Sequence, residues 1–353
     1  RRGHWPTQAT LQAEVSTPVI RSEYGGRSGN WPNYNEGLSG RGCSTDTGNR
    51  WRNCTRTLPP GTGRTEAEER DNFATWFSYH RTRMKAAKAG ASEAFAQLDG
   101  TVRVGFRTIH NRGGFNIPVG DGNDGRFVDN EDDPRTPANE ATTSRSTWYA
   151  RLRAPIGYSG TPLLSALTNA GEYFGDSSPS GPYGPESGAN QLSCRQNFSI
   201  LTTDGYWNSE SVSIGNVDGS AGGTITGPNG RPYRYSPAPP YQDSYSNTLA
   251  DVAMHYWKRD LRSDMDNNVP TSTANPAFWQ HMVTFGISIG FSTSRGLSSV
   301  DDVPANPSWP DPEVSKTGGS DSIPARIDDL LHAAVNGRGQ FVAASDPAEF
   351  SRG

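Results

Sequence analysis

Few of the residues in this chain can build a core. Of 353 residues only 32% are hydrophobic, while 40 are glycine and 26 proline. Long polar loops must therefore decorate a modest core, in a chain long enough for one large or two ordinary domains. No apolar run approaches the roughly 18 residues of a membrane-crossing helix, so no transmembrane helix is expected. Neither sign of charge dominates: 33 basic against 37 acidic residues leave a net charge of −4. That balance offers no general attraction for nucleic acid or for an anionic membrane. The three cysteines, Cys43, Cys54 and Cys194, show no Cys-x-x-Cys or Cys/His spacing for zinc. There is no Arg-Gly-Asp tripeptide. Around Asp121, Asp124, Asp129 and Asp132 the carboxylates are dense, yet the EF-hand spacing is missing, and the segment reads as a solvated loop. No initiator Met and no signal peptide are present, and the termini read as those of a piece of a longer chain.

The most informative stretch runs from Gln196 to Asn208. An apolar, strand-like run, Phe198-Ser199-Ile200-Leu201, ends in Thr202-Thr203-Asp204-Gly205. A strand that stops at Asp-Gly puts a carboxylate at the carboxyl end of a sheet, where open α/β folds bind ligands. Turn chemistry alone also accounts for Asp-Gly. A hard cation, Mg²⁺ or Ca²⁺, takes oxygen ligands placed in this way. Upstream, Leu163, Leu164, Leu167, Ala170 and Phe174 recur at helical spacing. Thr161 is then the expected N-cap, with Pro162 in the first turn. Its hydroxyl is a second candidate ligand beside Asp204.

Along the rest of the chain, residues 1–66 are mostly loop. A long helix is expected over 67–98, with Phe73, Phe77, Met84, Ala87, Ala91, Phe95 and Leu98 on one face. A strand is expected over 102–109, with a hairpin partner around 115–119. Short helices follow near 145–153 and from Thr161. After the Asp204 strand, residues 209–243 form a Gly/Pro-rich insertion carrying a small hairpin. A helix over 247–262, a buried strand over 281–291, a helix over 325–336 and a last strand over 340–344 complete the order. Strands alternating with helices mean a mostly parallel sheet. His80, His255 and His332 fall within helical patterns and read as buried or structural rather than catalytic.

Thr161 and Asp204 together resemble two of the three ligand loops of the metal-ion-dependent adhesion site in von Willebrand factor A domains. The first loop of that site, Asp-x-Ser-x-Ser after a central strand, has no counterpart in place. Asp176-Ser177-Ser178-Pro179-Ser180 has the right letters, but it follows Thr161 with no strand before it, and is a decoy. Longer motifs resemble the PilY-type adhesins of type IV pili. These are Phe73-Ala74-Thr75-Trp76-Phe77-Ser78-Tyr79-His80-Arg81-Thr82-Arg83, Cys194-Arg195-Gln196-Asn197-Phe198 leading into Thr203-Asp204-Gly205-Tyr206-Trp207-Asn208, Asn247-Thr248-Leu249-Ala250-Asp251-Val252-Ala253-Met254-His255-Tyr256-Trp257, Phe278-Trp279-Gln280-His281-Met282 and Asp328-Asp329-Leu330-Leu331-His332-Ala333-Ala334-Val335-Asn336. The likeness runs from about residue 72 to 350.

The resemblance implies a Rossmann-like, von Willebrand factor A-type sheet flanked by helices. Residues 67–353 would form it, and the loop-rich residues 1–66 would be part of it. Its central first strand has no candidate before residue 67, because Pro18 breaks the best apolar piece. The strands at 102–109 and 198–203 should then flank a gap. In such proteins a following β-propeller, absent here, anchors the domain to minor subunits at the pilus tip. An extracellular place at the tip of type IV pili is implied, with a host or surface ligand as partner. In that setting Cys43 and Cys54 are expected to form a disulfide across an otherwise unconstrained loop; Cys194 is then left to pair with residues outside this sequence, or is itself the partner of one of the two. The function implied is attachment and pilus biogenesis through a bound Mg²⁺ or Ca²⁺. The alternatives are a mechanical, assembly-priming domain without metal-dependent binding, and a metal-dependent hydrolase acting through Asp204. No nucleophile motif and no base–orienter pair supports an enzyme.

Overall fold

The computed structural model describes residues 44–45, 51–52, 83–110, 125–128, 144–154, 160–203, 207–208, 210, 212–313 and 324–344. The chain divides into two compact units, Arg1–Ala89 and Gly90–Gly353. In the first, Ser44–Thr45 (β1) pairs antiparallel with Trp51–Arg52 (β2), Ser44 opposite Arg52. Cys43 and Cys54 bracket this hairpin in the sequence and lie outside the described residues. Helix α1, Arg83–Phe95, runs across the boundary between the units. Its expected beginning, with Phe73 and Phe77, also lies outside them.

In the second unit the elements follow in the order α2 (Ser144–Arg153), α3 (Leu163–Phe174), β3 (Asn197–Thr203), β4 (Thr224–Thr226), β5 (Pro232–Arg234), α4 (Leu249–Trp257), β6 (Met282–Ile289), α5 (Ala325–Asn336) and β7 (Phe341–Ala344). The sheet is parallel, in the order β3-β6-β7, with Phe198 beside Val283 and Gly286 beside Phe341. Parallel neighbours need crossovers, and helices α4 and α5 supply them. The strand order runs one way, so crossovers of one hand place both helices on one face. That face carries Leu201, Met282 and Phe341, which join Leu163, Leu164 and Leu167 of α3, Leu249 and Val252 of α4, and Leu330 and Leu331 of α5 in one core. Each of these buried leucines stabilises the fold by about 2 kcal/mol. Close packing is enforced at Gly286, where an added Cβ would meet Leu330 at 3.0 Å. The expected α/β class and mostly parallel sheet are therefore present.

The opposite sheet face is less covered. Phe198 and Ile200, alternate residues of β3, are 51% and 50% exposed. Among the described residues no strand pairs with the outer edge of β3. β4 and β5 form the small antiparallel hairpin expected in the insertion.

The strand expected over 102–109 is not one. Among the described residues a single antiparallel bridge joins Arg103 to Arg126. The alternation of Val102, Val104 and Phe106 has another cause. These side chains pack on an aromatic cluster of Phe127, Trp148 and Phe95, in which Phe95 stacks on Trp148 at 4.3 Å. One-sided burial, not a hydrogen-bonded ladder, produces the period of two. The expected gap between 102–109 and 198–203 loses one of its walls with this strand. The region proposed for its hairpin partner, 115–119, lies outside the described residues.

Candidate functional site

In a parallel sheet the crossover helices begin where the strands end, so helix amino ends gather at the carboxyl edge. Three meet here. At α3, the loop after β3 folds back onto the helix start. Asn208 donates its backbone N–H to the Thr161 carbonyl at 2.9 Å, and the Asn208 side-chain oxygen accepts from the Thr161 N–H. Glu210 then spans the first turn, accepting from Leu164 N–H at 3.0 Å and Ser165 N–H at 3.1 Å, and from the Ser165 hydroxyl. The same loop is gripped from α5, where Arg326 donates to the Trp207 carbonyl and stacks over its ring at 4.6 Å.

Thr161 lies against the loop that follows β3 but is not the cap that the helical spacing leads one to expect. Pro162 occupies the cap position without a side-chain bond, and the carboxylate of Glu210 does the capping from 46 residues away. Among the described residues the Thr161 hydroxyl makes no hydrogen bond. Asp204 follows Thr203, the last residue of β3, and lies outside the described residues. The loop expected to be acidic, with Asp121, Asp124, Asp129 and Asp132, likewise lies outside the described residues apart from 125–128. The decoy at Asp176 sits just past the carboxyl end of α3, a helix of 12 residues, hence ~18 Å from Thr161. There it is a local turn: Asp176 accepts from Ser178 N–H at 2.8 Å. Cys194 is free and exposed.

At α4 the amino end is closed and buried. Thr248 and Asp251 form a reciprocal capping box. Asp329 of α5 adds a second carboxylate, accepting from Leu249 N–H at 2.9 Å and Ala250 N–H at 3.0 Å. Burial pushes the Asp329 carboxyl up to about 7. Asp251 also accepts from Val217 N–H at 2.6 Å, tying the insertion to the helix start.

Beside this end lies a constellation that the sequence reading passed over. Asp218 and Asp243, from the two ends of the insertion, meet His332 of α5. One ligand-type atom from each lies within 4.8 Å of the others. His332 Nε2 is 3.6 Å from Asp218 Oδ2, and its Nδ1 is 3.4 Å from Asp243 Oδ2. Burial pushes the Asp218 carboxyl up to about 6, against the lowering influence of His332. These residues could hold a metal ion. In sequence they are 25 and 89 positions apart, with no motif spacing, so only the fold reveals them. Reading His332 as structural and buried is correct as to burial.

No family model matches the chain, and no solved structure matches it. Curated relatives do. The chain is 33% identical over 347 residues to the type IV pilus biogenesis factor PilY1 of Pseudomonas aeruginosa strain PAK, covering 89% of this chain and 27% of that protein. It is 34% identical over 309 residues to the PilY1 of strain PAO1, covering 79% of this chain and 25% of that protein. It is thus a PilY-type sequence spanning about a quarter of the length of the curated relatives it matches. Among the described residues no helix is long and apolar enough to cross a membrane.

Proposed function

We propose, from the premise that the chain is of the PilY type, that it is a surface module of type IV pilus biogenesis with a von Willebrand factor A-like fold. It serves attachment at the pilus tip through a divalent cation held by Thr161 and Asp204. The observation that carries this reading is the α3 amino end. Its helix donors are already satisfied by Glu210, so the Thr161 hydroxyl is left for another partner. An uncommitted hydroxyl beside the loop that follows β3 supports a cation site there, since Mg²⁺ and Ca²⁺ take oxygen ligands and open α/β sheets bind ligands at this edge. Mg²⁺ or Ca²⁺ suits an all-oxygen set; the bound ion would take a carboxylate of the host or surface ligand as a further ligand. No catalytic step is assigned.

The experiment is a titration of the full-length protein with Mg²⁺ and with Ca²⁺, alongside Thr161→Ala and Asp204→Ala. Binding that both substitutions abolish supports the reading. Binding that neither changes overturns it and leaves the assembly-priming role, which the bare β3 face with Phe198 and Ile200 favours. Pilus counts on cells carrying the same variants separate attachment from assembly.

A further inference from the structure

His332 is held as a metal-binding imidazole is held. Its Nε2 lies 2.7 Å from the Tyr241 carbonyl oxygen, which can only accept, so Nε2 carries a proton. Donation of one ring N–H to a backbone carbonyl fixes the tautomer of a ligating histidine and aims the other nitrogen. Here the other nitrogen, Nδ1, faces Asp243 Oδ2. Two lone-pair bearers confronted in this way need a proton or a cation between them. The ring is also locked in plane by Trp309, stacked at 4.0 Å and 9°.

The carboxylates are positioned with similar care. Asp218 is fully buried; its Oδ1 accepts from Asp243 N–H at 3.1 Å and its Oδ2 from Asn336 Nδ2 at 2.9 Å. Asp243 Oδ1 accepts from Tyr245 N–H at 2.8 Å, which leaves Oδ2 toward the histidine. Asn336 itself is fully buried, and its Oδ1 has no hydrogen-bond partner. The neighbouring acids Asp251 and Asp329 are committed to backbone donors of α4. The Lys258 ammonium is committed to the Ser220 carbonyl at 2.8 Å and to that of Val217. Arg338 lies over the Tyr241 and Trp257 rings at 3.6 and 3.7 Å.

We propose that Asp218, Asp243 and His332 bind one divalent transition-metal ion, Zn²⁺ or Mn²⁺, which clips both ends of the insertion to helix α5. The donor set selects the ion. An imidazole with two carboxylates suits Zn²⁺ or Mn²⁺, whereas Ca²⁺ takes oxygen alone. Bonds of about 2.0–2.2 Å put ligand atoms roughly 3–4.2 Å apart, so Nδ1 and Asp243 Oδ2, at 3.4 Å, already span one ion, whereas Asp218 Oδ2, now 3.6 Å from Nε2, must swing toward the Nδ1 side to join them. On binding, any proton on Nδ1 or the carboxylates leaves to solvent, and water completes the coordination. The site is separate from Thr161 and stands or falls without it.

The test uses the full chain, stripped with a chelator and titrated with Zn²⁺ alone and with Mn²⁺ alone. One equivalent should bind and raise the unfolding temperature. Asp243→Asn and His332→Gln should each weaken binding by about 100-fold or more, while Thr161→Ala leaves it unchanged. Pulsed EPR of bound Mn²⁺ on the unsubstituted protein should show coupling to one ring nitrogen, which decides the matter if His332→Gln does not fold. No binding by the unsubstituted protein means a proton alone bridges the cluster and overturns the proposal. Full affinity in Asp243→Asn, or no nitrogen coupling, overturns it equally.

Discussion

The amino ends of α3 and α4 are both capped by a carboxylate from far along the chain, yet they differ in what is left over. At α4, Thr248, Asp251 and Asp329 satisfy the helix start completely, and every one of these side chains is buried. At α3, Glu210 satisfies the helix while Thr161 sits half-buried with its hydroxyl uncommitted. Identical chemistry thus does two jobs. A cap surrounded by core fixes how two helices meet; the Glu210 cap beside the sheet edge leaves the neighbouring Thr161 hydroxyl uncommitted.

The largest effect should come from breaking the closed end. Asp329→Ala strands the buried N–H groups of Leu249 and Ala250, at about 1–3 kcal/mol each, so a loss of about 4 kcal/mol is expected in denaturant unfolding. If the loss is no greater than that at Glu210, the distinction between the two ends collapses.

Acid should also reveal the α4 side. Behind the far end of α4, His281 is buried, with Nδ1–H donating to the Trp279 carbonyl at 2.6 Å and Nε2 2.8 Å from the Asn275 amide. Burial pushes its imidazole down to about 4. The folded state therefore binds fewer protons than the unfolded chain between pH 6.5 and 4. Its contribution is present above pH 6.5 and lost as pH falls through about 4, a change of about 3 kcal/mol at most. Unfolding free energy measured across that window should fall with acid, and more shallowly in His281→Gln. Equal slopes would remove His281 from the account.

Glu210→Ala should cost about 1 kcal/mol, the usual worth of an N-cap. Chemical denaturation measures it. A cost near that of Asp329→Ala would mean the α3 end is as closed as its counterpart.

Why the two ends were unequally legible in the sequence is itself physical. Helical spacing is a local signal, so Leu163, Leu164 and Leu167 announced α3, and residues 325–336 announced α5. The capping box of α4 is local too, since Thr248 and Asp251 are three residues apart. Glu210 caps from 46 residues away and Asp329 from 80, and no local pattern encodes either. Thr161 therefore looked like the cap that Glu210 provides. Asp218, Asp243 and His332 were hidden in the same way, because a Gly-rich insertion is brought to α5 only by the fold. The alternation at 102–109 misled for the converse reason: a period of two reports one-sided burial, and an aromatic cluster supplies that as well as a sheet does.

The smallest expected effect is the sharpest test of the comparison. Thr161→Ala should change stability by less than about 0.5 kcal/mol, as a surface substitution does. The corresponding change at the closed end, Thr248→Ala, should cost about 1 kcal/mol. The two residues are of one type and each stands before a helix, so side-chain size and helix propensity cancel between them. What differs is commitment. The Thr248 hydroxyl accepts from Asp251 N–H at 3.0 Å and donates to the Asp251 carboxylate at 3.0 Å, whereas Glu210 holds the donors that Thr161 would otherwise satisfy. Equal losses in urea unfolding would show that the Thr161 hydroxyl is part of the fold after all, and the ligand role would lose its best argument. A stability left intact, with Mg²⁺ and Ca²⁺ binding lost, would put its free energy in the ligand alone.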